Sequence, residues 1–145
     1  MSDGTAIITE ALQESQIVSV VVPASPEQIN HGLGKLNSMV QMWISMGIKM
    51  NLVPLPTAGD QLHEPADARN GIVLNLAILL ATAYKRPVSD DLRTAGAKEL
   101  AMIKLLYQEI CIPDAVPSST LPKGAGNSKG VDSKRFFGKD STISG

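Results

Sequence analysis

Few side chains in this sequence have the types and spacing that chemistry needs. The two histidines, His31 and His63, fall on different elements, and neither has a cysteine or carboxylate at metal-ligand spacing. Both read as surface or capping residues. Cys111 closes a helical pattern without the basic neighbours or CxxC context that activate a thiolate, so it reads as a small buried hydrophobe. Gly124-Ala125-Gly126-Asn127-Ser128-Lys129-Gly130 superficially looks like a phosphate loop. It fails on mechanism, because a phosphate loop needs Gly-Lys-Ser/Thr opening a helix behind a strand. Asp90 and Asp91 are a carboxylate pair, but they open a helix, where they offset its dipole. No catalytic constellation remains, and the expectation is a non-enzyme with neither metal nor cofactor.

Two clusters suit binding instead. Met39, Met42 and Met46 fall on one predicted helix face beside Trp43, with Met50 just beyond. Core packing is the simpler reading. The sharper one is an intersubunit surface, since Met fills irregular gaps and Trp anchors interfaces. The second cluster is Lys134-Arg135-Phe136-Phe137-Gly138-Lys139, two adjacent aromatics in an otherwise polar stretch. Phe136 and Phe137 suit pockets on a partner, with Arg135 meeting acidic groups at the rim. Single-stranded nucleic acid is an alternative, but three local positive charges favour a protein.

Four helical patterns must position these residues. The first covers about residues 5–15, with Ile7, Ile8, Ala11 and Leu12 at helical spacing. The β-branched run Ile17-Val18-Ser19-Val20-Val21-Val22 follows and predicts a buried extended linker or an edge pairing. Ser25-Pro26-Glu27-Gln28 is a capping box with Pro at the first helical position, opening a helix over residues 26–46 with Gly47 as its C′ residue. Its apolar stripe is Ile29, Leu33, Leu36, Val40 and Trp43. Residues 48–63 alternate through Ile48, Met50 and Leu52, then break at Pro54 and Pro56, an extended or hairpin-like excursion. A third helix over residues 65–85 is apolar almost all round and therefore central. The fourth starts after the N-cap Ser89 and carries Leu92, Ala95, Glu99, Ile103, Leu106 and Ile110 to an end near Cys111. The fold expected is all-α, a small bundle of about four helices over residues 1–112 with an extended C-terminal arm over residues 113–145.

Composition bounds the partners. Formal net charge is −1, so bulk charge announces neither nucleic acid nor a membrane surface. Residues 113–145 hold 5 of the 13 Lys/Arg but 3 of the 14 Asp/Glu, a mildly basic arm on a mildly acidic body. They also hold three Pro and five Gly, too little apolar surface to offset ordering entropy alone. A single Cys excludes an intrachain disulfide and fits a reducing cytoplasm. Without a secretory signal pattern or an apolar run of bilayer length, a soluble chain without membrane contact is expected.

Several stretches together resemble a known family. These are Leu36-Asn37-Ser38-Met39 through Trp43 to Gly47-Ile48, Asn75-Leu76-Ala77, Ala97-Lys98 through Leu105-Leu106-Tyr107, and Leu121-Pro122-Lys123-Gly124-Ala125-Gly126-Asn127-Ser128. In order and spacing, over roughly residues 26–128, they resemble the head-to-tail adaptors of short-tailed phages, also called tail accessory factors or packaged-DNA stabilisation proteins. Val18–Val22 and the stretch beyond Ser128 depart from the family's pattern. The resemblance implies a virion protein of the tail neck, made in the host cytoplasm. It would form a homo-oligomeric ring, typically dodecameric, beneath the portal protein after packaging. The arm, through Leu121, Pro122, Gly124, Gly126 and Asn127, would hold the portal. The lower rim would receive the next tail component, a nozzle, hub, fibre or spike. DNA would pass through the channel without sequence-specific binding. The reading weighed against it is a small helical assembly factor or regulatory module that recruits a partner through its tail.

Overall fold

Helix α3, Arg69–Ala83, carries apolar side chains on nearly every side and is the element the others must cover. The computed structural model of the chain describes residues 2–109. In it, α3 packs against α1 (Gly4–Glu14), α2 (Pro26–Ser45) and α4 (Asp90–Tyr107), a small four-helix bundle. Ile72, Leu76, Ala77 and Leu80 of α3 are fully buried, as are Ile7, Ile8, Ala11 and Leu12 of α1. Two short strands, β1 (Ser2–Asp3) and β2 (Gln61–Leu62), pair antiparallel and fix the entry to α1.

Local chemistry sets the helix ends. Asp3 caps α1 by accepting from the Thr5 N–H, while the Gly4 and Thr5 N–H groups donate to the Asp60 and Ala58 carbonyls. Both halves of the Ser25–Gln28 capping box form, at 2.8 and 3.3 Å. Helix α2 stops where Gly47 takes φ +80, which a side chain would strain. Ser89 caps α4 through the Leu92 N–H, with Asp90 and Asp91 in the first turn.

Three boundaries differ from expectation. Helix α3 begins at Arg69, because Pro65 enters a turn closed by the Ala68 N–H on the Pro65 carbonyl. It ends at Ala83, two residues early, and Lys85 adopts φ 55. Helix α4 ends at Tyr107, because Gln108 turns extended and pairs as an isolated bridge with Ile48. Leu106, expected in the core-facing stripe, is exposed, and Ile103 is buried as expected. Ile110 and Cys111 lie outside the described residues.

The run Ile17–Val22 is neither a buried linker nor a paired edge. The Ile17 and Val18 N–H groups both donate to the Leu12 carbonyl, closing the end of α1 and leaving no ladder for a strand. Only Val18 is buried; Val20, Val21 and Val22 project from a turn. The excursion over residues 48–63 does alternate, burying Ile48, Met50 and Leu52. Its return is fixed by Asn37 of α2, whose amide donates to the Leu55 carbonyl and accepts the Leu55 N–H, at 2.9 and 2.8 Å.

Glycines let the helices approach closely. A Cβ at Gly71 of α3 would lie 2.5 Å from Ile103 Cδ1, and one at Gly96 of α4 would lie 2.6 Å from Ile78 Cδ1. Asn75, the polar break in the apolar run of α3, sits in this crossing and donates to both the Gly71 and Gly96 carbonyls. Gly32 of α2 meets Ile8 of α1 in the same way, whereas Gly34 faces open space. Gly71→Ala is therefore expected to destabilise the chain by about 1–3 kcal/mol through overpacking. Gly34→Ala should instead stabilise it by up to about 1 kcal/mol, from helix propensity alone. Chemical denaturation of the two variants tests the contrast; equal effects would contradict the close crossing.

Candidate functional site

Several polar groups that chemistry could use hold the chain together instead. Arg69 lies against Glu10 through two guanidinium nitrogens, at 2.7 and 3.3 Å, and its Nε donates to the Ser2 hydroxyl. Glu64, buried in the body, accepts the Ser2 N–H at 3.2 Å and lies 3.9 Å from Arg69 Nε. Burial pushes the Glu64 carboxyl up, but the Ser2 hydroxyl and nearby backbone N–H groups together outweigh it, so the net shift is downward. This network fastens the strand before α1 to the start of α3. Tyr107 donates to the Asp67 carboxylate at 2.7 Å, which raises the phenol above its usual range.

The histidines stay apart. His31 is exposed and its ring lies 5.2 Å from that of Tyr84, tilted by 47°. His63 is exposed at the edge of a shallow depression of about 310 Å³ whose walls include Val53, Pro54 and Leu55. Asp60 lines the same depression, but its carboxylate accepts from both the N–H and the hydroxyl of Thr57. Among the described residues no three His, Cys, Asp or Glu groups come together as a metal site, and no helix is long and apolar enough to cross a membrane.

Part of what the fold leaves uncovered is apolar. Helix α4 turns Leu92, Gly96, Leu100 and Ile103 towards α3. Its opposite face carries Ala97, Ala101, Met102 and Leu105, with Leu106 at the flank. Leu105 is 74% exposed, Leu106 55% and Met102 48%. A helix on the surface of a monomer ordinarily places polar groups there; here exposed Thr94 and Lys98 share the face with these apolar side chains.

The proposed methionine face divides. Met39 and Trp43 are buried inside the chain's own core, which removes them as intersubunit contacts; for these two, core packing is the outcome. Successive helical residues are about 100° apart, so Met42 turns away from the buried stripe centred on Leu36, Val40 and Trp43. Met42 and Met46 remain at the surface. The arm candidates Leu121, Pro122, Gly124, Gly126, Asn127, Arg135, Phe136 and Phe137 lie outside the described residues.

Sequence reasoning missed the outer face of α4. The signal was present, because Ala97, Ala101 and Leu105 recur four residues apart, opposite the stripe through Ile103. Assigning Leu106 to the core hid it. The exposed valines were missed for another reason: β-branched composition predicted burial, but the end of α1 had already committed their backbone.

The root of the C-terminal segment is well fixed. The Lys49 N–H donates to the Tyr107 carbonyl, the Glu109 N–H to the Gly47 carbonyl, and the Gln108 side chain to the Met46 carbonyl. Lys49 and Glu109 also form an ion pair.

No protein-family model matches the chain, and no curated protein matches it.

The Glu64 network has a pH signature. A carboxyl depressed in the folded state stabilises the fold above its unfolded pKa, about 4.3 for Glu, and that stability is lost as pH falls through the folded value. Denaturation between pH 3 and 7 should show the wild type losing stability on the acid side, with Glu64→Gln giving a shallower slope there. An identical slope would contradict the network.

Proposed function

We propose that this chain is the head-to-tail adaptor subunit of a short-tailed phage virion, a ring component that closes the head beneath the portal. The observation that carries the reading is the outer face of α4, where Met102, Leu105 and the flanking Leu106 are exposed beside Ala97 and Ala101 on a helix already buried on its other side. A body of this size buries a modest share of its surface alone and gains from neighbours on both flanks. A ring supplies two neighbours to every subunit through heterologous contacts.

The division of the sequence supports the same reading. The basic, Pro- and Gly-containing stretch over residues 113–145 follows directly on an anchored root at Gln108 and Glu109. An arm of this kind loses entropy on docking, but many arms presented by one ring engage together through effective concentration. In this proposal Leu121–Asn127 and the Arg135–Phe137 cluster contact the portal, and the distal rim takes the next tail component. A net charge of −1 suits a channel that lets DNA slide without holding it.

The experiment mixes purified chain with isolated portal rings and images the product. A collar of chain copies on one end of the portal is expected. A chain truncated after Ile112 should bind portal about a hundredfold more weakly, with its fold unchanged by circular dichroism. Undiminished portal binding by the truncated chain would overturn the role of the arm. A chain that binds portal as a lone monomer would favour the transient assembly factor, and strong salt-dependent DNA binding by the free monomer would sink both readings.

A further inference from the structure

Of the apolar side chains left uncovered, two groups lie on different elements and neither covers the other. One is the outer face of α4. The other is the turn between α1 and α2, where Val20 and Val21 are 84% and 89% exposed. We infer that these surfaces are partners, and that the Val20–Val21–Val22 turn of one copy seats on the Ala97–Leu105 face of α4 in the next. The inference rests on the ring reading only in taking the partner to be another copy of this chain.

Shape and stiffness favour the match. The turn is closed by the Val22 N–H, which reaches both the Ser19 carbonyl and the Ser19 hydroxyl, at 3.2 and 3.3 Å. Pro23 follows and restricts the exit. Valine side chains have one dominant rotamer preference, so little entropy is lost when they dock. On the receiving helix, Ala97 and Ala101 are one turn apart and leave low ground beside Met102 and Leu105.

Charge favours it as well. Glu14 and Glu27 are both exposed, and no Lys or Arg lies between them in the sequence, so the turn carries an acidic flank. Lys98 sits within the α4 face and Arg93 beside it, both exposed. Neither has an ion-pair partner among the described residues. Asp90 and Asp91 lie at the N-terminal end of the same face, away from Leu105, and orient the contact towards the C-terminal half of α4. A convex acidic turn and a basic apolar face on one chain form a heterologous pair, which closes into a ring or grows as a filament.

The test uses two full-length variants, Val20→Asp/Val21→Asp and Leu105→Asp, both at exposed positions, with thermal melts to verify folding. Mass is followed by analytical ultracentrifugation to about 100 μM, where weak subunit contacts register. The wild type should self-associate, and each variant alone should lose at least about tenfold in affinity. An equimolar mixture of the two should form a dimer that does not grow, because one intact junction remains. Exchanging Glu14 and Glu27 for Lys should weaken association, and adding Arg93→Glu and Lys98→Glu should restore it. A mixture that stays monomeric, a turn variant that associates like the wild type, or a wild type monomeric throughout would each overturn the contact. Assembly on portal by a turn variant without loss would overturn the contact and leave the ring reading standing; absence of portal assembly by the wild type would remove the ring reading itself.

Discussion

The apolar character of α3 is the constraint on which the rest depends. A helix with Ile72, Val73, Leu76, Ala77 and Leu80 buried has no solvent stripe through its middle and must be wrapped. In a chain this short the wrap is made by single helices, each with its own exposed side. The close crossing at Gly71 and Gly96 brings α4 near enough for Ile103 to pack over Gly71 and Ile78 over Gly96. Asn75 then satisfies backbone carbonyls that such proximity would otherwise press against hydrocarbon.

From that wrap follows the surface of the molecule. Helix α4 spends its inner face on α3, yet its outer face is no more polar than the inner one near Met102 and Leu105. The same holds at the α1–α2 turn, where three valines project although Ser, Asn or Gly would close the turn as well. Folding within the chain requires neither feature. Both are exposed apolar groups on elements whose other sides are buried, and it is on them that the proposed association rests.

Much of the bundle could be read from the sequence, because the signals were local. Ser25, Pro26 and Gln28 defined a helix start by hydrogen-bond chemistry contained within four residues, and Gly47 defined its stop by a backbone angle. Ser89 did the same for α4. The failures involved nonlocal competition. Nothing near Gln108 announces that its backbone will leave the helix to bridge Ile48, sixty residues earlier in the chain. Nor does Met39 differ from Met42 in type; only the direction of the core separates them, and that is set by α1 and α3 together. The candidate surface on α4 was legible in principle as a second stripe, but one residue, Leu106, fits both stripes at a coarse reading.

The bridge between Ile48 and Gln108 links these two levels. It ties the exit of α2 to the exit of α4 by backbone hydrogen bonds that do not depend on side-chain identity, apart from the glycine at residue 47. Whatever follows Glu109 therefore departs from a fixed point, not from a fraying helix end. That distinction matters for the proposed role of residues 113–145 as an arm. The effective concentration of a tethered binding element depends on how well its root is held as well as on tether length. In that proposal, a root clamped between two core elements fixes the point from which the arm engages the portal. The outer face of α4 runs down to the same root, so in the proposed ring the lateral contact and the origin of the C-terminal segment lie close together. Neighbouring copies joined through that face would hold their roots at a regular spacing, which is the geometry a multivalent clamp needs.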